Sequence, residues 1–330
     1  MTDQILMNFS GTVQSNFDLQ TKHNFKKKTG AAKWYYQLAF GENLLKDLSL
    51  LSEIYAQDIP FKIFGLHTNL YITDNGYDGL FVDISPKNSN IIFDDNTKIF
   101  KVTANTTVSE FVNHTTGTGY DFAALTGIPG MIGAGIVGNS GWTPSGKRFS
   151  DFVKEITVYD FEKNKIETIV PDDQFFSTRN SYLKESNKAK TRYFVIDVSL
   201  KSDFMGVDVV REKFEAQMAR RIKGLKFAFA EGSAGSVWSN AHLIDQGIIS
   251  LPKMLLEHPE INADFNGATY SKNNRHFITS ESTTDKDVAK LFVHTLQKVK
   301  ELYGADLHKE VLFLDKVGEI DTAEFIKQNS

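Results

Sequence analysis

The sequence predicts an α+β fold divided into two or three sub-domains, and three observations predict it. The chain has 330 residues, more than the roughly 250–300 at which a single hydrophobic core usually stops growing, so sub-domains sharing an interface are expected, with room for a buried cofactor between them. Short strand-like runs dominate the first two hundred residues. The longest helical period, Asp285 to Tyr303, stands near the C-terminus, with apolar Val288, Leu291, Phe292, Leu296, Val299 and Leu302 on one face and Gly304 as its stop.

Taken in order, Trp34 to Phe40 reads as a strand and Glu42 to Tyr55 as a helix, with Leu44, Leu45, Leu48, Leu51 and Ile54 at helical spacing. After the Pro60 break come a strand at Phe61 to Gly65 and a hairpin, predicted from the Asn75-Gly76 step between Leu70 to Thr73 and Leu80 to Ile84. Short strands are expected at Asn90 to Asp94 and Lys98 to Val102. Thr107-x-x-Glu110 then fits a capping box opening a helix to about Thr115. A glycine-rich loop follows, and then strands near Val153 to Asp160 and Tyr193 to Leu200. Past Phe204 the character changes: Val210 to Gly224 is a basic amphipathic helix, and a strand is expected at Glu310 to Leu314. No internal repeat or low-complexity linker interrupts the chain, and the seam is expected near 201–209.

Composition removes several classes of function. The net charge of −4 gives no general attraction for nucleic acid. The absence of cysteine excludes disulfides, thiolate metal sites and cysteine nucleophiles. No run approaches the ~20 apolar residues that span a bilayer, and Met1 to Gln20 lacks the form of a signal peptide, so a cytoplasmic protein is expected. The histidines show no ligand spacing, and there is neither a nucleophile elbow nor a P-loop; no metal is expected.

The strongest local signal is Leu125 to Gly141, with glycines at 127, 130, 133, 135, 138 and 141. Glycine permits positive φ and close approach of a ligand to the backbone, successive free amides make a nest for phosphate oxygens, and a helix starting after Pro129 would add its N-terminal dipole. It is not the dinucleotide G-x-G-x-x-G fingerprint, because no βαβ unit surrounds it. Composition alone leaves a phosphate-binding loop and a plain structural loop both open.

Thr126 to Ala134, followed by Asn139 to Trp142, resembles the flavin pyrophosphate segment of UDP-N-acetylenolpyruvoylglucosamine reductases, within the wider vanillyl-alcohol-oxidase/PCMH-type FAD-binding fold. Five further segments fall in that family's order: Leu19 to Phe25, its opening motif; Ile63 to Ile72 with Asp74 to Gly79, its first flavin loop; Phe176 to Tyr182, its arginine motif; Gly232 to Asn240, its serine motif; and Leu307 to Phe313, its glutamate motif. The resemblance implies a two-part FAD-binding domain, 19–85 and 86–204, and a smaller α+β substrate domain, 205–330. It implies FAD as cofactor and NADPH as reductant, in a monomer acting on a small-molecule UDP-sugar enolpyruvate for peptidoglycan precursor synthesis. FAD-contacting positions would be Ile63, Phe64, Gly65, Leu66, His67, Thr68, Asn69 and Leu70, with Thr126, Gly127, Pro129, Gly130, Ile132, Gly133, Ala134, Asn139 and Gly141. Arg179, Ser236 and Glu310 would be catalytic, and Ser239 and Asn240 would contact substrate. Taken singly, these would pass for a surface arginine, a turn serine and a solvated glutamate; their collinearity is what singles them out.

Departures from the family pattern concern both ligands. The first flavin loop, usually Gly-Gly-Gly-Ser-Asn, is Gly65-Leu66-His67-Thr68-Asn69. His67 has two readings, a hydrogen-bond donor to phosphate or a covalent histidyl-flavin link. Thr178 stands where the family has tyrosine, Ser239 where it has a lysine that helps hold the diphosphate sugar, and Trp142 where it has a small residue. The expected activity is reduction of UDP-N-acetylglucosamine enolpyruvate. The alternatives are a reductase of the same fold acting on another unsaturated acid, and a non-catalytic flavin-binding protein.

Overall fold

A computed structural model describes residues 2–22, 29–142, 145–225, 234–272, 278–279 and 283–330. His23 to Phe25 of the opening motif, the Lys26 to Lys28 cluster and Gly232-Ser233 of the serine motif lie outside the described residues. The chain forms two compact units: residues 1–15, 33–66 and 79–222 make one, and 16–32, 67–78 and 223–330 make the other. These do not follow the boundaries expected at 85/86 and 204/205, since the stretch 67–78 joins the C-terminal unit.

In the first unit, five antiparallel strands lie in the spatial order Ile91–Asp94, Ile99–Thr103, Tyr193–Leu200, Val153–Asp160 and Lys165–Ile169. Their period of two turns Phe100, Val102, Ile156, Val158, Val198 and Leu200 inward, and helices Val108–Thr116 and Leu44–Ala56 add Phe111, Leu48, Leu51 and Ile54 to the same core. Thr107 caps helix Val108–Thr116 by accepting from the Glu110 amide. Glu110 itself accepts from Ser89 Oγ, so only half of the predicted capping box forms.

A second sheet runs in the order Gln14–Asp18, Ala31–Leu38, Tyr77–Ile84 and Phe61–Phe64. Phe61–Phe64 pairs in parallel with Tyr77–Ile84, with Phe61 opposite Leu80 and Ile63 opposite Val82. Parallel neighbours need a crossover of a dozen or so residues, and the stretch between these strands, which holds the expected first flavin loop, is that crossover.

The predicted hairpin at Asn75-Gly76 is therefore not formed. Leu70–Ile72 instead joins the sheet of the C-terminal unit, parallel to Leu312–Asp315, which pairs antiparallel with Gly318–Ile320. Polar anchors hold the turn there: Thr73 Oγ1 and Asn75 Nδ2 both donate to Asp315, and the Asp74 amide donates to Asp285. Gly76 takes φ +74°, and a Cβ at this position would lie 2.3 Å from the Ala31 carbonyl oxygen.

Helix Asp285–Tyr303 matches its predicted bounds, opened by a Thr284/Asp287 capping box and closed by Gly304 at φ +64°. Its Val288, Leu291, Phe292 and Val299 form a core with Tyr71, Trp238, Phe313 and Phe325, while Leu302, expected on this face, is exposed. Among the described residues no helix is long and apolar enough to cross a membrane.

Asp285 holds this unit together by accepting from Tyr71 Oη at 2.7 Å and from the Asp74 amide at 2.6 Å, while its own amide donates to Asp74. Burial, with the Asp285 charge second, pushes the Tyr71 hydroxyl well above its ordinary pKa. Replacing Asp285 by alanine strands buried donors and should lower unfolding free energy by about 3 kcal/mol. Denaturant unfolding measures this, and a loss below ~1 kcal/mol would remove the anchoring role.

Candidate active site

The glycine loop owes much of its form to packing. Gly133 has no room for a Cβ, which would fall 2.7 Å from Ala104 Cβ, and Gly141 meets Arg148 and the Lys147 carbonyl at 2.7 Å. Ile132 is a core residue, and Asn139 spends its side chain on protein, donating to the Ser177 carbonyl and accepting from the Ser150 amide. The helix expected after Pro129 forms over Ile132–Val137, but the amides of Ile132 and Gly133 donate to the carbonyls of Thr106 and Ala104. Its N-terminal dipole is thus turned toward protein.

What remains for a ligand is the stretch before it. The Thr126 hydroxyl is buried with no hydrogen-bond partner among the described residues. Gly127 and Gly130 take φ +71° and +110°. The amides of Gly127, Gly130 and Met131 meet no protein acceptor among the described residues. Gly65 of the other expected flavin loop packs on this stretch, its Cβ position 3.3 Å from Met131 Sδ. Unsatisfied amides, an orphan hydroxyl and backbone open to close approach suit a phosphate-bearing group such as FAD.

Arg179 occupies the turn between the two-residue strands Phe176–Ser177 and Asn180–Ser181 at φ +56°, a left-handed conformation that costs a bulky residue about 1–2 kcal/mol. The turn is over-determined by its neighbours. Arg148 Nη1 donates to Thr178 Oγ1 at 2.9 Å, Lys184 Nζ to the Arg179 carbonyl at 3.1 Å and Ser181 Oγ to the Val137 carbonyl at 2.7 Å. Thr178, where the family has tyrosine, is thus a fastening point.

Sequence reading missed Arg221. It lies on helix Val207–Leu225, which had looked like an amphipathic surface helix. Its Nε donates to the Thr126 carbonyl at 3.2 Å, its guanidinium sits 4.6 Å from the Trp142 ring centroid, and its stem fills the space a Cβ on Gly127 would take, 2.7 Å from Cγ. Burial, and then the charge of Arg179, pull its pKa down to about 10. A guanidinium so placed, with no carboxylate paired to it among the described residues, is a standing attraction for an anion. The only legible signal was a large aromatic, Trp142, beside the glycine loop.

The C-terminal unit gathers the remaining candidates. The Glu310 amide donates to the Val237 carbonyl at 2.7 Å, and Asn69 Nδ2 donates to the Glu310 carbonyl at 2.8 Å. Gly235, at φ +88°, sets the Ser236 backbone against Thr68, whose carbonyl lies 3.3 Å from the Gly235 Cβ position. Ser236, Glu310, Thr68 and Asn69 are thus neighbours. Ser239 is buried and shares a hydrogen bond with His242 Nδ1, while Asn240 Oδ1 accepts from the Leu251 amide. His67 takes φ +55° where the family pattern has glycine.

Comparison with known proteins agrees with this arrangement. Residues 48–169 match a family described as an FAD binding domain. The UDP-N-acetylenolpyruvoylglucosamine reductase of Caldanaerobacter subterraneus subsp. tengcongensis is 28% identical over 269 residues, 80% of this chain and 82% of the relative. That of Pelagibacter ubique is 25% identical over 95% of this chain and the whole relative. The crystal structure of the Thermus caldophilus UDP-N-acetylenolpyruvylglucosamine reductase superposes with a TM-score of 0.66 at 19% identity, covering 91% of this chain and 97% of that one, so the two share a fold. Similar along nearly its whole length to proteins of this one kind, and carrying their motifs in order, the chain is a divergent relative of the UDP-N-acetylenolpyruvoylglucosamine reductases, built on the PCMH-type FAD-binding fold.

Proposed function

We propose that this chain is a cytoplasmic, monomeric flavoenzyme that reduces UDP-N-acetylglucosamine enolpyruvate to UDP-N-acetylmuramate with NADPH, a step of peptidoglycan precursor synthesis. The observation that carries the reading furthest is Arg179, held in a strained turn beside the half-buried Arg221, which pairs with no carboxylate among the described residues, in the unit that carries the glycine loop. FAD, when bound, supplies hydride taken from NADPH. Arg179 binds the enolpyruvyl carboxylate and neutralises the enediolate-like charge that develops as hydride reaches the vinyl carbon. Ser236 delivers the proton to the adjacent carbon; a weak acid in water, it serves only a strongly basic centre in a desolvated site. Glu310 orients the carboxylate. Thr126 and the amides of Gly127, Gly130 and Met131 hold the flavin pyrophosphate.

A second reading keeps the flavin and changes the acceptor. It is favoured by Ser239, whose hydroxyl is taken up by His242 where the family pattern carries a lysine. The two part in one assay: the yellow protein should oxidise NADPH far faster once UDP-N-acetylglucosamine enolpyruvate is added, and a slow rate unchanged by that substrate would leave the second reading. Ser236→Ala should spare bleaching of the flavin by NADPH while cutting acceptor turnover by about a thousandfold; parallel loss of both half-reactions would remove the proton-donor role. Arg179→Gly should relieve the left-handed strain, leaving stability unchanged or raised by up to about 1 kcal/mol, yet cut acceptor turnover by at least ~100-fold. Retained turnover would exclude Arg179 from the chemistry.

A further inference from the structure

In the C-terminal unit, residues 237–239 and 308–310 form a short antiparallel ribbon. The Ser239 amide donates to the His308 carbonyl at 2.8 Å, the Glu310 amide donates to the Val237 carbonyl at 2.7 Å, and Trp238 faces Lys309. Alternation along the ribbon assigns its two faces. Trp238 points into the core and donates Nε1 to Tyr270 Oη, while Lys309 reaches Glu319 and the Ile320 carbonyl. Ser239, His308 and Glu310 therefore share the other face, His308 about 7 Å along the strand from Glu310.

His242 returns to that face from the first turn of helix Asn240–Asp245. Its Nδ1 shares a 2.7 Å hydrogen bond with Ser239 Oγ, and its ring stacks on His308 with centroids 5.0 Å apart and planes 28° from parallel. The base of this arrangement is closed and its top is open. Ser239 is 1% exposed, whereas His308 lies at the surface, and neither of its ring nitrogens meets a hydrogen-bond partner among the described residues. A histidine placed for packing would bury its ring or satisfy a nitrogen; this one is braced against a second imidazole at an exposed position.

We propose that His308, supported by His242 over Ser239, is the contact for the substrate's diphosphate. The proposal rests on the reductase reading above, in which the acceptor is a nucleoside diphosphate sugar whose reacting carboxylate end is engaged beside Glu310. Such a molecule carries its diphosphate on the same sugar ring as the reacting group, so a second anion contact within a few ångströms of Glu310 is required. His308 offers an imidazole N–H there on a side chain already ordered by stacking. With Ser239 in place of a lysine, the hydrogen-bonding contact moves from the buried end of the ribbon to its exposed edge, a change that admits the same class of ligand with different side chains.

The test measures binding to the flavin-loaded protein by calorimetry, with uridine diphosphate, inorganic pyrophosphate and uridine as probes. His308→Ala, an exposed position whose loss should not disturb folding, should weaken uridine diphosphate and pyrophosphate about tenfold while leaving uridine unchanged, and His308→Lys should restore both to within about threefold. Unaltered diphosphate binding in His308→Ala, or equal loss of uridine, would overturn the proposal. If the parent binds pyrophosphate but not uridine diphosphate, and His308→Ala still loses pyrophosphate, the anion contact stands and the UDP-sugar reading falls. Binding of uridine diphosphate that ignores both substitutions would leave that reading in place and remove His308. A parent that binds neither anion would overturn the contact outright.

Discussion

The parallel pairing of Leu70–Ile72 with Leu312–Asp315 is the constraint from which the placement of the candidate residues in the C-terminal unit follows. It draws Asn69 and Glu310, 241 positions apart, into one hydrogen bond and continues into the backbone bond from Leu312 to the Asn69 carbonyl. Once Glu310 is fixed, the ribbon 308–310 fixes 237–239, and Ser236 and Ser239 are placed by backbone alone. Closing so long a loop carries a substantial entropic cost, which grows only slowly with length and is offset by the buried Tyr71, Phe313, Phe325 and Phe292 cluster around the same strand pair. The carboxylates of Asp285 and Asp315 complete it from below.

The other unit shows the opposite economy, in which local features are held against their preferences. Arg179 adopts a backbone conformation suited to glycine or asparagine, and Arg221 holds a partly desolvated guanidinium beside another positive charge. Neither arrangement stabilises the free protein. Both make sense where an anion arrives to meet them, because preorganised charge needs no rearrangement when negative charge develops. Hydrogen bonds from Arg148, Lys184 and Ser181 show that the surrounding fold supplies the rigidity.

Much of this was legible in the residues. The bounds of Val153–Asp160, Tyr193–Leu200 and Asp285–Tyr303 were readable because periodicity, caps and burial agree there. The α+β class followed from the same local signals and from the collinear motifs. The Asn75-Gly76 hairpin misled because a turn signal reports local backbone preference, not where its flanking strands find partners; here one strand finds its partner in the distant Leu312–Asp315 segment. The unit boundaries missed for the same reason. Arg221 was hidden because helical periodicity distinguishes a polar face from an apolar one but not a solvated arginine from one drawn under a tryptophan.

The contact between Gly127 and Arg221 ties two positions that sequence order keeps far apart. The arginine stem occupies the volume a methyl group at 127 would claim, so the two cannot drift independently. Any relative that lost this glycine would have to shorten or withdraw the residue opposite, and with it a positive charge at the glycine loop. In a lineage diverging as far as this one, the pair should therefore be inherited or surrendered together, so that a change at either position predicts a change at the other.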